Sequence, residues 1–502
     1  MIIRTKHIEV KIFQTPTFEH NNVRVWGFPL NEEILLKEEW TEENLNKVNG
    51  YFFAIKEYPD HTELANDILG GYRVYYSLVD ERLVFSDAYE TLKKMLNNNV
   101  TVDSLQLKYW RKHRFTLDDG TLFNEIKKIA PATIILCNKD GVYVESYYKD
   151  YANKPNYNNY LVKNNIVIEE QLKLAYEKNK KSTFLLFYSG GTDSTYLLCM
   201  LKELLIPFKC VVIRYNPRWS IGEKEYAEAV SKLSSFGITD YDTLDVDLNA
   251  ALDDFIDEAK KEMFFDRHIS VHFYETYRRV AERYGTDVVI VNGQSADSIM
   301  GFGPTDMTKG FFIQRCVLYS SVLTNLIWTP FVKLYLGVRY CMPWTNYQRL
   351  LAMLDEHNYW FVVDTKCEYR KLLTSKLTSV FFTRLKNFAS KRMYAKIISF
   401  LQGPDNQIVL KAANHFGIRK VIMPFTAPEF IYNVVKYKND SHEMFVGKYF
   451  VRDILKTYLD KYQIYTKKNV EASIPQPDFD MEAFEQNILK TYQQYLNDNI
   501  KI

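Results

Sequence analysis

A continuous apolar run, Phe184–Tyr188, ends directly in Ser189-Gly190-Gly191-Thr192-Asp193-Ser194, and helical spacing begins immediately afterwards. A buried strand that gives way to two glycines and then a helix limits the possible fold more than any other stretch of the chain. Adjacent glycines let the backbone curl tightly and present N–H groups, and the following helix offers the positive end of its dipole. Together they make an anion site suited to phosphate. Ser189 and Ser194 can add hydroxyl donors. Asp193 repels a bare phosphate and makes sense there only with a cation between the two, which reads as a Mg²⁺ ligand. The chain contains no G-x-x-x-x-G-K-[ST] string, so this is not a Walker-type loop. The bland alternative is a strand-to-helix turn whose Ser and Gly only satisfy geometry; the full six-residue string in this context favours the anion site.

The surrounding pattern alternates helix with buried strand. Leu161 to Lys180 has apolar residues at helical spacing, Thr195–Leu204 reads as helix, Phe208–Tyr215 as strand, Glu223–Ser235 and Val271–Tyr284 as helices, and Val288–Asn292 as strand. Such alternation predicts a parallel sheet covered by helices. From Ile2 to about Tyr148 the chain is instead rich in short apolar runs, Gly50–Lys56, Arg73–Ser77, Leu83–Ser86 and Thr133–Cys137, separated by turn residues, which predicts a sheet-based N-terminal domain. The polar, Asn-rich stretch 149–160 reads as a linker between residues 1–148 and 161–502. Beyond about Pro304 the strand signal fades and helical patterns rich in aromatics and Lys/Arg continue to the end.

With 502 residues, two to four domains are expected. The 64 Lys+Arg against 62 Asp+Glu leave a net charge of +2, so the electrostatic pull of a nucleic-acid binder is missing and no nucleic-acid partner is expected. The six cysteines form no C-x-x-C pair, which argues against zinc or thioredoxin-like chemistry and for reduced, mostly buried thiols. The first residues carry no apolar core of signal-peptide length, so a cytoplasmic location is expected.

A second segment extends the argument. Asn292-Gly293-Gln294-Ser295-Ala296-Asp297-Ser298-Ile299-Met300-Gly301 follows the strand at Val288–Ile290. With Ser189–Ser194, it resembles the ATP pyrophosphatases that carry an S-G-G-x-D-S loop, specifically the asparagine synthetase B type, whose downstream block reads S-G-E-G-A-D-E-L-F-G. The resemblance implies that Asp193 and Asp297 hold Mg²⁺ on the pyrophosphate half of ATP, with Gly293 beside the α-phosphate or ribose. It also places Phe187 and Ile213, on the strand Val211-Val212-Ile213, at the adenine-flanking positions, where an ordinary core strand is the competing reading. Gln294, Ser295 and Ser298 depart from the block, on the acceptor side of the pocket.

The likeness extends loosely to both ends. Asn49-Gly50-Tyr51-Phe52-Phe53-Ala54, Asn66-Asp67-Ile68-Leu69-Gly70-Gly71-Tyr72-Arg73-Val74-Tyr75-Tyr76 and Leu83-Val84-Phe85-Ser86-Asp87 are similar to blocks of the class II glutamine amidotransferase domain. That family's nucleophile is a cysteine exposed by removal of the initiator Met, whereas Ile2 stands here and the first cysteine is Cys137. The expectation is an amidotransferase scaffold without its glutaminase step. Lys448-Tyr449-Phe450-Val451-Arg452 matches the family's K-x-x-L-R helix. Tyr465-Thr466-Lys467-Lys468-Asn469 resembles the loop that carries the catalytic lysine, implying that Lys468, with Lys467 as the adjacent alternative, stabilises transition-state charge. In Met423-Pro424-Phe425, similar to the family's E-x-R-x-P-F block, Lys420 and Ile422 replace the Glu and Arg.

Two weaker signals remain. His268 and His272 have the i, i+4 spacing of a metal pair but lack a third ligand at a telling distance. From Leu318 to Val338 only Lys333 is charged, and Pro330 interrupts the run, which reads as a buried helical hairpin rather than a membrane span, with peripheral membrane contact as the alternative. The expected fold class is therefore α/β: an N-terminal amidotransferase-like β-sandwich plus a C-terminal parallel-sheet ATP pyrophosphatase domain with a helical extension. The expected activity is an ATP- and Mg²⁺-dependent carbon–nitrogen ligase. It would adenylate a small-molecule, peptide or glycan carboxylate for capture by a substrate amine or by ammonia, free or from a partner, as in β-lactam synthetase or a lasso-peptide cyclase. The alternative is a catalytically degenerate ATP-binding scaffold of the same fold.

Overall fold

The computed structural model describes residues 2–4, 8–12, 15–37, 39–80, 82–104, 106–107, 116, 120–147, 157–216, 223–247, 271–300, 407–436, 449–462, 490 and 494. Three sheets organise them. In the N-terminal part the strands are β1 (Ile2–Arg4), β2 (Ile8–Lys11), β3 (Phe18–His20), β4 (Val23–Pro29), β5 (Gly50–Glu57), β6 (His61–Asn66), β7 (Tyr75–Val79), β8 (Arg82–Ser86), β9 (Ile126–Lys128), β10 (Thr133–Asn138) and β11 (Gly141–Ser146). They form a five-stranded sheet, β1-β2-β8-β7-β9, and a six-stranded sheet, β11-β10-β6-β5-β4-β3. Strand β5 is buried from Tyr51 to Lys56, so its two faces are both covered, and it sits inside its sheet accordingly. Short helices α1 (Glu42–Leu45) and α2 (Tyr89–Met95) accompany these sheets.

The second half begins with α3, Tyr157–Lys178, whose start takes in the last residues of the expected linker. Then come β12 (Thr183–Phe187), α4 (Thr192–Glu203), β13 (Lys209–Asn216), α5 (Glu223–Ser235), β14 (Tyr241–Asp247), α6 (Val271–Tyr284), β15 (Val288–Val291) and α7 (Ala296–Met300). Helix α8 (Gln407–His415), β16 (Lys420–Ile422), α9 (Pro428–Lys436) and α10 (Tyr449–Lys461) complete it. The third sheet has the order β14-β13-β12-β15-β16, and every neighbouring pair is parallel. The run Val288–Val291 is buried at every residue, as expected of a parallel strand covered on both faces.

Two strands differ from the sequence reading. The edge strand β14 was not expected: its aspartates at 242, 245 and 247 break the apolar run, and an edge position tolerates them. Strand β16 lies beyond Pro304, where no strand was expected. At three residues it is too short to carry a period, and its pairing with β15 specifies it. The segment 318–338, His268 and the loop at 465–469 lie outside the described residues. No helix of the described residues is long and apolar enough to cross a membrane.

The two halves touch through side chains. Tyr51 donates its hydroxyl to the Arg419 carbonyl at 2.8 Å, the Arg419 guanidinium reaches the carbonyl and Oγ1 of Thr15 at 3.1 and 2.9 Å, and Tyr432 donates to Asn46. Gly71 approaches Leu410 so closely that an added Cβ would stand 3.0 Å from its Cδ1.

Candidate active site

In an open parallel sheet, ligands bind outside the carboxyl ends of the strands where the connections reverse direction. Here the chain winds from β12 outward through β13 to β14, then returns to place β15 on the other side of β12. The reversal lies between β12 and β15, and each of these strands runs straight into one of the two motifs. Their register, Leu186 opposite Val291, brings the two loops out side by side.

The first loop is built as the glycines require. Gly190 has φ of +72°, and a Cβ there would stand 2.9 Å from the Ala229 Cα on α5, so a side chain fits neither the backbone conformation nor the space. Gly191 is the N-cap of α4 and supplies no side-chain acceptor, so the first turn of the helix has no side-chain cap from its own N-cap residue. The two serines hold the curl: Ser189 Oγ lies 3.2 Å from Ser194 Oγ, Gly191 donates its N–H to Ser189 Oγ at 3.3 Å, and Ser194 Oγ donates to the Gly191 carbonyl at 3.2 Å. Ser189 is exposed and Ser194 buried, and both hydroxyls brace the loop. Asp193 sits in the first turn of α4, half-buried, with its Oδ1 in the interior of the site.

The second loop closes on the first. An added Cβ at Gly293 would stand 3.1 Å from the Asp193 Cβ and 3.4 Å from the Ser194 nitrogen. Asn292, nearly buried, turns the chain by accepting the Gln294 N–H on its Oδ1 at 2.9 Å, while its own N–H donates to the Ile422 carbonyl. Ser295 has φ of +71°, a left-handed conformation that favours glycine. Asp297 belongs to α7, one residue after its start. A carboxylate is a hard oxygen donor of the kind Mg²⁺ takes, and Asp193 brings one to the head of the first loop.

Of the remaining expected residues, Phe187 is buried at the end of β12, with its ring 5.7 Å from that of Tyr277 on α6. Ile213 is half-buried in β13, packed against the core. Lys468 lies outside the described residues. Lys420 faces away from the two loops: at the start of β16 it pairs with Asp287 at 2.5 Å and bonds Ser182 Oγ at 3.0 Å. Lys420 also holds the Asp287 carboxyl below its ordinary range. Among the described residues no three His, Cys, Asp or Glu side chains are grouped as they would be around a metal ion.

The N-terminal part holds no thiol nucleophile among its described residues. Cys137 is buried in β10, and burial pushes its thiol up to about 12. Between the two halves lies a small cleft lined by Tyr51, Asp67, Gly71, Gln171, Leu410 and Met423. Asp67 is not free to bind a ligand there, since its carboxylate accepts the N–H groups of Phe52, Leu69 and Gly71 at 2.9–3.1 Å. Burial raises its pKa, and these bonds act in the opposite direction.

Sequence reasoning missed Lys232. From α5 its ammonium donates to the Gly190 carbonyl, and burial lowers its pKa, with Glu228 acting in the opposite sense. Its spacing from Ala229 on α5 was the available signal, but only the packing identifies its partner.

The fold and site thus define an α/β protein with a glycine-containing strand-to-helix loop at the switch point of a parallel sheet, joined to a second region built from two sheets. Residues 31–148 of that region match the glutamine amidotransferase domain. No curated protein matches the chain by sequence. Among solved structures, it is similar to the glutamine phosphoribosylpyrophosphate amidotransferase from B. subtilis complexed with ADP and GMP, at 9% identity over 45% of this chain and 47% of that one, with a TM-score of 0.18. It is also similar to the allosteric regulatory enzyme of purine biosynthesis, at 9% identity over 43% and 52%, TM-score 0.17. A third is the NH3-dependent NAD synthetase from Campylobacter jejuni in complex with the nitrate ion, at 14% identity over 49% of this chain and 96% of that one, TM-score 0.21. The chain spans about half the length of the first two.

Proposed function

We propose that the chain is an ATP-dependent amide-forming ligase of the asparagine synthetase type, with residues 161–502 as its synthetase domain and residues 1–148 as an amidotransferase-like domain. The observation that carries this reading is the approach of Gly293 to Asp193 and Ser194 at the sheet's switch point. Two segments a hundred residues apart, each matched to one block of the family, meet where such a sheet binds its ligand.

In this reading the Ser189–Ser194 backbone and hydroxyls grip the pyrophosphate half of ATP, using the N-terminal dipole of α4. Asp193 and Asp297 hold Mg²⁺, which neutralises polyphosphate charge when bound. Phe187 and Ile213 flank the adenine, and Gly293 leaves room for the α-phosphate. A substrate carboxylate attacks the α-phosphorus, breaking its bond to the leaving pyrophosphate, and an amine then attacks the acyl carbon with loss of AMP. Lys468 stabilises the charge that develops in both steps. The amine is ammonia or a group on the substrate itself, and the carboxylate belongs to a small molecule, a peptide or a glycan.

The test is release of pyrophosphate, rather than phosphate, from Mg-ATP in the presence of candidate carboxylates. Asp193→Asn and Lys468→Ala should each lower that release by a hundredfold or more, on the scale of losing one electrostatic stabiliser. The engagement of Lys420 with Asp287, away from the two loops, favours a second reading, a scaffold that binds ATP without turnover. ATP binding with no pyrophosphate released, unaffected by Lys468→Ala, would support it.

A further inference from the structure

The contact that the proposed chemistry leaves unexplained is the one behind the loop. Helix α5 presses its backbone on Gly190 at Ala229, and one turn later Lys232 donates its ammonium to the carbonyl of that same glycine. A lysine in the last turn of a helix ordinarily serves the helix's own carbonyl end. Lys232 instead reaches a residue 42 positions earlier in the chain, and it is half-buried in doing so. Holding an ammonium away from water is costly unless the charge is used.

The orientation of the Gly190 carbonyl matters for an anion site. A carbonyl oxygen turned toward a bound polyphosphate repels it, whereas one turned away leaves the neighbouring N–H groups as the lining. Gly190 at φ of +72° has the freedom to turn either way, because no Cβ fixes it. We infer that Lys232 is a positioning residue for the phosphate loop, holding the Gly190 carbonyl against α5 so that the 192–194 backbone at the head of α4 keeps its N–H groups toward a pyrophosphate moiety. This rests on the ATP reading above and names the part of the ligand that Lys232 serves. The β- and γ-phosphates depend on it, and the adenosine and α-phosphate do not. The lowered pKa of Lys232 is consistent with a charge held in a confined place.

The experiment is a calorimetric titration of the full chain with Mg-ATP, Mg-pyrophosphate and AMP, comparing the wild type with Lys232→Met and Lys232→Arg. Lys232→Met should weaken Mg-ATP and Mg-pyrophosphate by about tenfold or more, the scale of one charge-assisted hydrogen bond, while AMP affinity changes less than about twofold on the same scale. Lys232→Arg, which keeps charge and donors, should restore most of the loss. Equal weakening of AMP and pyrophosphate would mean that the variant simply disturbs the fold, and an unchanged pyrophosphate affinity would mean that the carbonyl needs no pin; either overturns the positioning role alone. A wild-type chain that binds none of the three overturns the ATP reading and this inference with it. Should the methionine variant not fold, Lys232→Leu, which likewise has no donor, takes its place with the same outcomes.

Discussion

The two adjacent glycines of the loop can be separated by experiment, because the structure gives them different reasons for being glycine. A methyl group at Gly190 would stand 2.9 Å from the Ala229 Cα, a backbone atom that no rotamer change can move aside, and at a left-handed φ of +72°. Holding an L-residue in that conformation costs about 1–2 kcal/mol, and overpacking a closed contact adds roughly 1–3 kcal/mol. Gly190→Ala should therefore destabilise the chain by about 2–5 kcal/mol. At Gly191 the φ is an ordinary −71°, and an added Cβ meets only Ser189 Oγ at 3.2 Å, the end of a side chain that can rotate. Exchanging glycine for alanine at an N-cap costs about 1 kcal/mol or less. Urea unfolding without nucleotide, followed by intrinsic fluorescence, measures the difference: the midpoint should fall by on the order of 1–2 M for Gly190→Ala and by much less for Gly191→Ala. A Mg-pyrophosphate titration of the folded Gly191→Ala protein should nonetheless show weaker binding, since its methyl projects beside the N–H groups of the loop. Equal stability of the Gly190→Ala variant and the wild type would refute the packing of the loop on α5 and the reasoning built on it.

Other expectations follow from the same structure. Ser295→Gly should stabilise the chain by up to about 1 kcal/mol, the relief of left-handed strain outweighing glycine's extra freedom in the unfolded chain; a thermal midpoint that falls would contradict this. Glu203 at the end of α4 accepts from Lys461 and, at 2.6 Å, from Tyr462, and these partners, Lys461 first, hold its carboxyl below the ordinary range. With the folded pKa depressed, the contribution is present above the unfolded value of about 4.3 and is lost as pH falls through the folded one. Solvent screening keeps it under about 1 kcal/mol. Glu203→Gln should therefore lower stability at neutral pH while leaving it nearly unchanged at pH values below the folded pKa, so that the acid limb of the stability–pH curve is flatter, which denaturant midpoints at a series of pH values would check. Cys137, Cys199 and Cys210 are buried, and burial pushes each thiol up to about 12. Iodoacetamide at neutral pH should leave all three unmodified in the native chain and modify them after denaturation, and peptide mass spectrometry would show any that reacts early.

The elements around the candidate site were legible because their pattern is local. The strand, two glycines and helix at 184–203 follow one another without interruption, and α5 and α6 have the bounds their apolar spacing predicts. What could not be read was adjacency. Nothing in the residues of β15 says that it pairs with β12 rather than with β14, yet that pairing brings Gly293 to Asp193. The edge strands were missed for a related reason: β14 carries aspartates and β16 is only three residues long, so each is specified by its neighbour more than by its own pattern. Lys232 illustrates the same limit, since its partner is a carbonyl, and carbonyls have no sequence signature.

The fixed register between β12 and β15 also makes the sheet a ruler. A strand advances about 3.3 Å per residue and turns its side chains over at each step. One residue gained or lost between Thr183 and Phe187, or between Val288 and Val291, would slide one loop past the other by that amount and reverse which side chains face inward. Relatives of this chain should therefore differ in length in the stretches joining the strands, such as 248–270, while keeping these two strands free of insertions and deletions. The spacing from Leu186 to Ser189 and from Val291 to Gly293 would then persist even where the residues at 294, 295 and 298 have diverged.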